Sequence, residues 1–327
     1  MEFEAKLISE LEDAIVAAQN ILLLTHKNPD GDALGSLLAT HLMLTQVGKK
    51  ATAACFDPAP NSFQFLPGAE SIVNDFVAED FDLVIVLDCG DIHQTKFHET
   101  KPQLWDGSRK LVKVDHHSMA ADFGDIKLVY PEVCATSFIL THLFEVLGIN
   151  ITPEIATCLL TGISTDTGSF KHSNTSPEAL RTAGKLLRCG GNLLKMSKEV
   201  YRTTPIPAMK LWGRILNTVK QTSEGVTLAV AQKEDFEESG AVQEDLAGVV
   251  DYVNAVPDAK FSILLSERDG LVKASLRTQR EDVNTAQIAS AFGGGGHVKA
   301  AGFAVKGKLK KETVWKVVGE NGEEKEF

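Results

Sequence analysis

Three short, mostly apolar runs each end on an acidic residue or a histidine, and this constrains the fold more than any other feature. Ile21-Leu22-Leu23-Leu24-Thr25 leads into His26-Lys27-Asn28-Pro29-Asp30-Gly31-Asp32, Phe81–Leu87 into Asp88, and Lys110–Val114 into Asp115-His116-His117. Short continuous apolar runs suit strands buried on both faces, and the Pro and Gly of the first loop mark a turn. Between the first two runs, Ala33–Val47 has helical apolar spacing that stops at Gly48, and Ala51–Phe56 reads as another strand. Open α/β sheets bind ligands beyond the carboxyl ends of their strands, so the acidic loops fall where chemistry is expected.

The rest of the chain extends this pattern. Glu2–Ala18 reads as an amphipathic helix, and beyond Tyr130 the segments Ala135–Leu147, Pro153–Thr161 and Pro177–Leu187 read as helices that cover the sheet. Gly190-Gly191 breaks the periodicity, and a short helix and turns precede a helix near Ala208–Val219. After Gly225, Val226–Ala231 reads as a strand, Leu246–Val253 as a helix, and Phe261–Ser266 with Val272–Arg277 as a hairpin around Asp269-Gly270. The expected class is α/β: a mostly parallel sheet covered by helices in residues 1–190, a connector with a helix in 191–222, and a smaller α/β domain in 223–327. The Glu-rich tail Glu320–Phe327 is polar enough to fray.

Composition narrows the partners. A formal charge of -11 repels long polyanions, so a nucleic-acid substrate should be short. No apolar run approaches the roughly 20 residues of a membrane-spanning helix. Met1-Glu2-Phe3-Glu4 lacks the basic start of a secretory signal, which points to the cytoplasm. Cys55, Cys89, Cys134, Cys158 and Cys189 form no CxxC pair, so they read as reduced and mostly buried thiols.

The candidate site is built from four clusters. Asp30 and Asp32, two apart in a tight loop, can point to different sides and serve different ions. Asp88, directly after an apolar run, would be costly to bury without a cation and is the natural shared ligand. Asp115-His116-His117 adds a carboxylate and two imidazoles, a mixed set that suits manganese better than magnesium. Gly162-Ile163-Ser164-Thr165-Asp166-Thr167-Gly168 ends a helical stretch and supplies another carboxylate, Asp166. Each Asp alone is as readily a helix cap or turn former. Four such clusters at successive element ends have no common structural reason, whereas a dinuclear site needs many ligands in one crevice.

In the second half, Phe292-Gly293-Gly294-Gly295-Gly296-His297 follows a helical run, Thr285–Phe292, and precedes the apolar segment Ala300–Val305. A bare glycine run is a flexible loop, but His297 and Lys299 beside it suggest amide groups and a cation offered to an anion. Alternation along Val272–Arg277 places Val272, Ala274 and Leu276 on one face and Lys273, Ser275 and Arg277 on the other. Arg277 can then reach outward, or be only a solvated edge charge.

HKNPDGDALGS, VLDCGD, VDHH and GISTDTGSF together resemble the four metal motifs of the DHH-family phosphoesterases. KASLRT followed by VNTAQIASAFGGGGHVKAAGF is similar to the DHH-associated C-terminal domain. The resemblance runs from about Ile21 to Val305 and is nearest to the short two-domain oligoribonuclease/pAp phosphatase (nanoRNase) subgroup. It implies two metal ions, with His26, Asp30 and Asp88 on one and Asp32, Asp88, His116 and Asp166 on the other. It also implies that Asp115 supports the histidine pair and that His117 lies near the scissile phosphate. Arg277, Gly294, Gly295, Gly296 and His297 would contact substrate across a cleft between the domains. Many members carry a Glu in the helix after the third motif, where Ala135-Thr136-Ser137-Phe138 has none, and here Cys89 follows the shared Asp88.

The implied activity is exonucleolytic degradation of short oligoribonucleotides, 3'-dephosphorylation of pAp, or both. Two Mn2+ ions, with Mg2+ or Co2+ also admitted, would position a bridging hydroxide for in-line attack, with Asp88 joining the ions and His117 serving the leaving oxygen. A linear or cyclic dinucleotide phosphodiesterase acting on pApA or c-di-AMP shares the motifs, and a non-catalytic nucleotide-binding module would have lost ligands that are all present here. A manganese pyrophosphatase would bring a Lys/Arg-rich C-terminal signature in place of GGGGH. A homodimer is compatible with the sequence.

Overall fold

The strands that precede the acidic loops lie side by side. The computed structural model describes residues 1–117, 121–201, 204–246, 248–268, 270–296, 298–310, 316–318 and 324–326, and it divides into two compact units, Met1–Thr203 and Thr204–Phe327. The first unit runs α1 (Ala5–Ala17), β1 (Ile21–Leu24), α2 (Gly31–Gln46), β2 (Ala51–Ala54), β3 (Leu83–Leu87), α3 (Phe97–Thr100), β4 (Lys110–Asp115), β5 (Ile126–Val129), α4 (Thr136–Val146), α5 (Pro153–Asp166), α6 (Pro177–Arg188) and α7 (Leu193–Tyr201). Its sheet has the order β2-β1-β3-β4-β5, and every pairing is parallel. The chain leaves β1 toward β2 on one side and returns to β3 on the other, which opens a crevice at the carboxyl ends of β1 and β3.

Alternating strand residues feed two cores, as a sheet covered on both faces requires. Ile21, Leu23, Leu83, Ile85, Leu87, Val112 and Val114 pack with residues of α1, α2, α4 and α5. Leu22, Leu24, Val84 and Val86 pack on the opposite face with Ala78, Phe97 and Leu104. β5 was not expected from sequence. Its four residues include a solvent-facing Lys127, as suits a short strand at the sheet edge.

Helix α2 is buried almost all round, and small residues let α5 lie against it. A Cβ on Gly31 would come within 2.5 Å of Thr165, and one on Gly35 within 2.5 Å of the Cys158 carbonyl oxygen. A Cβ on Gly162 would collide with Ser137 and with Asp32. This explains a correction to the sequence reading. Helix α5 does not stop at Thr161 but runs through Gly162 to Asp166, because the glycine inside it serves close packing rather than termination.

The second unit contains α8 (Ile206–Leu216), β6 (Lys220–Gln221), β7 (Val226–Ala231), α9 (Lys233–Ser239), α10 (Val249–Val253), β8 (Phe261–Arg268), β9 (Leu271–Arg277), α11 (Thr285–Ser290), β10 (Gly295–Gly296), β11 (Ala300–Lys306), β12 (Lys316–Val318) and β13 (Glu324–Glu326). Its main sheet is ordered β10-β11-β9-β8-β7-β6, with only β7 and β8 parallel among these pairs. Leu211 and Ile215 of α8 pack with Ala229, Ala231, Val249, Val253 and Leu264. Within the stretch read as a connector, α7 belongs to the first unit and α8 to the second. The glycine run is also not simply a loop, since Gly295 and Gly296 pair with Gly302 and Ala301. Of the tail expected to fray, Glu324–Glu326 pairs with Lys316–Val318, and its other residues lie outside the described ones. Cys55, Cys89, Cys134 and Cys158 are buried thiols and Cys189 is half-buried.

The α2/α5 contact carries the placement of two acidic residues, Asp32 and Asp166. Gly35→Ala is expected to lower stability by about 1–3 kcal/mol through overpacking, read from the urea unfolding midpoint. A wild-type midpoint would show that the two helices are free to move apart.

Candidate metal centre

The acidic strand ends converge at the mouth of the crevice. Asp88 follows β3 with a left-handed backbone, φ 53°, a conformation that costs a non-glycine residue energy and is commonly kept where function needs it. Its amide is held by the Val114 carbonyl at 3.0 Å, and the residue is 2% exposed. Asp88 Oδ2 lies 3.7 Å from His26 Nε2, while Asp88 Oδ1 lies 3.5 Å from His116 Nε2 and 3.9 Å from His117 Nδ1. The two oxygens of one carboxylate thus face different histidines.

Asp30 is the N-cap of α2, its Oδ1 accepting from the amides of Asp32 and Ala33 at 3.0 Å. The cap and ligand readings are therefore compatible, because capping engages one oxygen. Asp32 is fully buried and accepts from Thr136 N at 2.6 Å, Ser137 N at 2.9 Å and Ser36 Oγ at 3.3 Å. Asp166, the last residue of α5, lies 3.1 Å from His116 Nε2. Asn174 Nδ2 donates to the Asp166 carbonyl at 3.1 Å and steadies the turn beyond it.

Asp115 sits behind the histidine pair. Burial disfavours its charged form, but the His117 ring beside it and the Lys113 ammonium hold its carboxyl below the usual range. The carboxylate therefore accepts from His117 Nδ1 at 2.7 Å, leaving Nε2 as the other ring nitrogen. Lys113 is buried, with Nζ 3.4 Å from Asp115 Oδ2, and donates to the carbonyls of Gly90 and Ala121, each at 3.1 Å. Sequence reasoning missed Lys113, Thr136 and Ser137. Lys113 looks like one polar residue in a strand, and the Thr-Ser pair looks like an ordinary helix start.

Three sets of groups lie with their ligand atoms within 4.8 Å of one another: His26, Asp30 and Asp88; Asp32, His116 and Asp166; and Asp88, His116 and His117. Their electrostatics call for a cation. Burial, with the neighbouring Asp88 and Asp166 charges, pushes Asp32 well above the carboxylate range and Asp30 up to about 6. Burial also disfavours the charged imidazoles, yet the carboxylates outweigh it. Asp88 and Asp30 raise His26 to about 9, and Asp166, Asp88 and Asp32 raise His116 to about 10. Mixed imidazole and carboxylate donors around such a concentration of negative charge fit a first-row divalent ion.

Of the residues expected to contact substrate, Arg277 ends β9 half-buried, its guanidinium donating to the Leu276 carbonyl at 2.9 Å, and burial lowers its pKa. Alternation along β9 is as expected, with Val272, Ala274 and Leu276 buried. Glycine is required at Gly294, where a Cβ would strike Gly302 and Phe303, and at Gly296, where it would meet Ala300 and Ala301. At Gly295 a Cβ would meet nothing within 4 Å, so packing does not explain that residue. His297, and Asp269 of the hairpin turn, lie outside the described residues.

The carboxylates around the His26 and His116 rings favour their protonated forms at pH 7, so an ion bound by these rings would displace protons, and its affinity should rise with pH through neutrality. Calorimetric titration with Mn2+ at pH 7 in buffers of different ionisation enthalpy is expected to show net proton release. Binding without proton exchange would contradict this coupling.

Comparison with known proteins gives the family. The DHH family N-terminal domain matches residues 20–163 and the DHHA1 domain residues 223–321. A bifunctional oligoribonuclease and PAP phosphatase NrnA of Thermus thermophilus is 34% identical over 92% of this chain and 88% of its own length. The protein of the same description from Bacillus subtilis is 25% identical, over 91% and 93%. The crystal structure of an exopolyphosphatase-related protein from Bacteroides fragilis superposes with a TM-score of 0.88 at 25% identity, covering 94% of this chain and 93% of that one. With both domains matched in order and a relative similar along nearly its whole length, this chain belongs to the DHH family and is a metal-dependent phosphoesterase.

Proposed function

We propose that the protein hydrolyses phosphoesters of short nucleotides, as an oligoribonuclease, a pAp phosphatase, or both, and that it uses two manganese ions. The observation that carries this reading is the split orientation of Asp88, with one oxygen toward His26 and the other toward His116. In this reading His26, Asp30 and Asp88 hold one ion, and Asp32, Asp88, His116 and Asp166 hold the other. Two such ions supply the charge that screens a phosphoryl group and lowers the pKa of water. The choice of short nucleotides is supported by the NrnA relatives, described as acting on oligoribonucleotides and PAP, and by the formal charge of -11, which disfavours long polyanions.

The remaining roles fall to the protein's own side chains. Asp115, held anionic, keeps the His117 Nδ1–H turned toward itself, so Nε2 is the atom that can exchange a proton with the leaving oxygen. Lys113 holds Asp115 from behind and ties down the loops at Gly90 and Ala121. Arg277 and the backbone of Gly294, Gly295 and Gly296, with His297, are proposed to contact phosphate or base. The open side of Gly295 supports backbone approach by a ligand. Buried free thiols fit the reducing cytoplasm as the site of action.

The test is a Mn2+-supplemented assay of the purified protein on pAp, RNA of a few nucleotides, pApA, cyclic di-AMP and pyrophosphate, beside Asp88→Ala and His117→Ala. Turnover of pAp or short RNA should dominate, and each substitution should reduce it by at least ~100-fold. Preference for pyrophosphate or a cyclic dinucleotide would overturn the substrate assignment, and full activity of Asp88→Ala would overturn the site.

A further inference from the structure

The start of α4 bears on how one carboxylate can serve two ions. The N-cap position is Ala135, which has no side-chain oxygen to accept the free amides of the first turn. Those amides go instead to another element. Thr136 N and Ser137 N hold the two oxygens of Asp32 at 2.6 and 2.9 Å, where the positive end of the helix dipole favours a carboxylate. The Thr136 hydroxyl donates to Asp88 Oδ1 at 2.9 Å, and Thr136 itself is fully buried. One residue therefore holds, through its amide and its hydroxyl, an acidic residue beyond β1 and another beyond β3.

The hydroxyl bond also fixes the rotation of Asp88. A carboxylate turns easily about its last torsion, and an unrestrained one could offer both oxygens to a single ion. With Oδ1 tethered to Thr136 on the His116 side, Oδ2 is left facing His26. We infer that Thr136 is a positioning residue that keeps Asp88 divided between two ion positions, so that the ion held with Asp32, His116 and Asp166 depends on the Thr136 hydroxyl. This inference rests on the two-ion reading above and acts through Asp88, since Thr136 belongs to neither ligand set. A hydroxyl that orients a ligand in this way is worth roughly 10-fold or more in metal affinity.

The test is calorimetric titration of the metal-free full chain with Mn2+ for wild type, Thr136→Val and Thr136→Ser, alongside the melting temperature of each metal-free protein. Thr136→Val keeps the shape and the amide but loses the hydroxyl, and Thr136→Ser restores the hydroxyl without the methyl. The expected result is two wild-type sites, with Thr136→Val weakening one of them roughly 10- to 100-fold while sparing the other, and Thr136→Ser recovering most of the loss. Metal-free melting temperatures should not follow this order. Two unchanged sites in Thr136→Val would overturn the role of Thr136 alone. Equal weakening of both sites with a lower metal-free melting temperature, unrescued by serine, would replace it with a packing role. A wild-type protein that binds one ion would overturn the two-ion reading itself.

Discussion

Mutual repulsion among the carboxylates of Asp30, Asp32, Asp88 and Asp166 is the constraint around which the first unit is arranged. Burial and proximity together push Asp30 and Asp32 toward protonation, while His26 and His116 are driven to hold protons against their own burial. Such a cluster persists only where the fold supplies compensation. Part of it comes from backbone amides, since the first turn of α2 receives Asp30 and the first turn of α4 receives Asp32. The remainder is the charge that a divalent ion would bring.

The parallel sheet makes this concentration of charge possible. Three strand ends deliver the loops to one crevice, and the apolar faces of β1, β3 and β4 anchor those loops in two cores. The close approach of α5 to α2 through Gly31, Gly35 and Gly162 brings Asp166 into the same place. Packing, rather than the acidic loops themselves, sets the distances between the candidate ligands. Gly31, between Asp30 and Asp32, and Gly162, against Asp32, therefore leave no room for a side chain.

Much of the site was legible in the sequence because a strand followed by an acidic loop has a simple signature. His26, Asp30, Asp32, Asp88 and His116 could be singled out that way, and Asp166 as a carboxylate among small residues at the end of a helical stretch; the structure brings all six together. The supporting residues were not legible. Thr136 and Ser137 precede an apolar helix as any helix start would, and nothing local shows that their amides serve a carboxylate a hundred residues away in sequence. Lys113 was equally hidden, since its neighbours Gly90 and Ala121 are set by tertiary packing. β5 escaped notice because four residues with a central lysine make a weak strand signal. The short α9 gave too few turns for helical periodicity to emerge. The glycine run shows the same limit, because the pairing of Gly295 and Gly296 with β11 depends on a partner strand that local composition does not reveal.

The central claim is that Asp88 joins two ions in one centre. Electron paramagnetic resonance of the Mn2+-loaded protein tests it directly, because two manganese ions bridged by a carboxylate are magnetically coupled. The account predicts a spectrum from a spin-coupled pair that gives way to isolated Mn2+ when Asp88 is replaced by alanine. A spectrum of isolated Mn2+ in the fully loaded wild-type protein would contradict it.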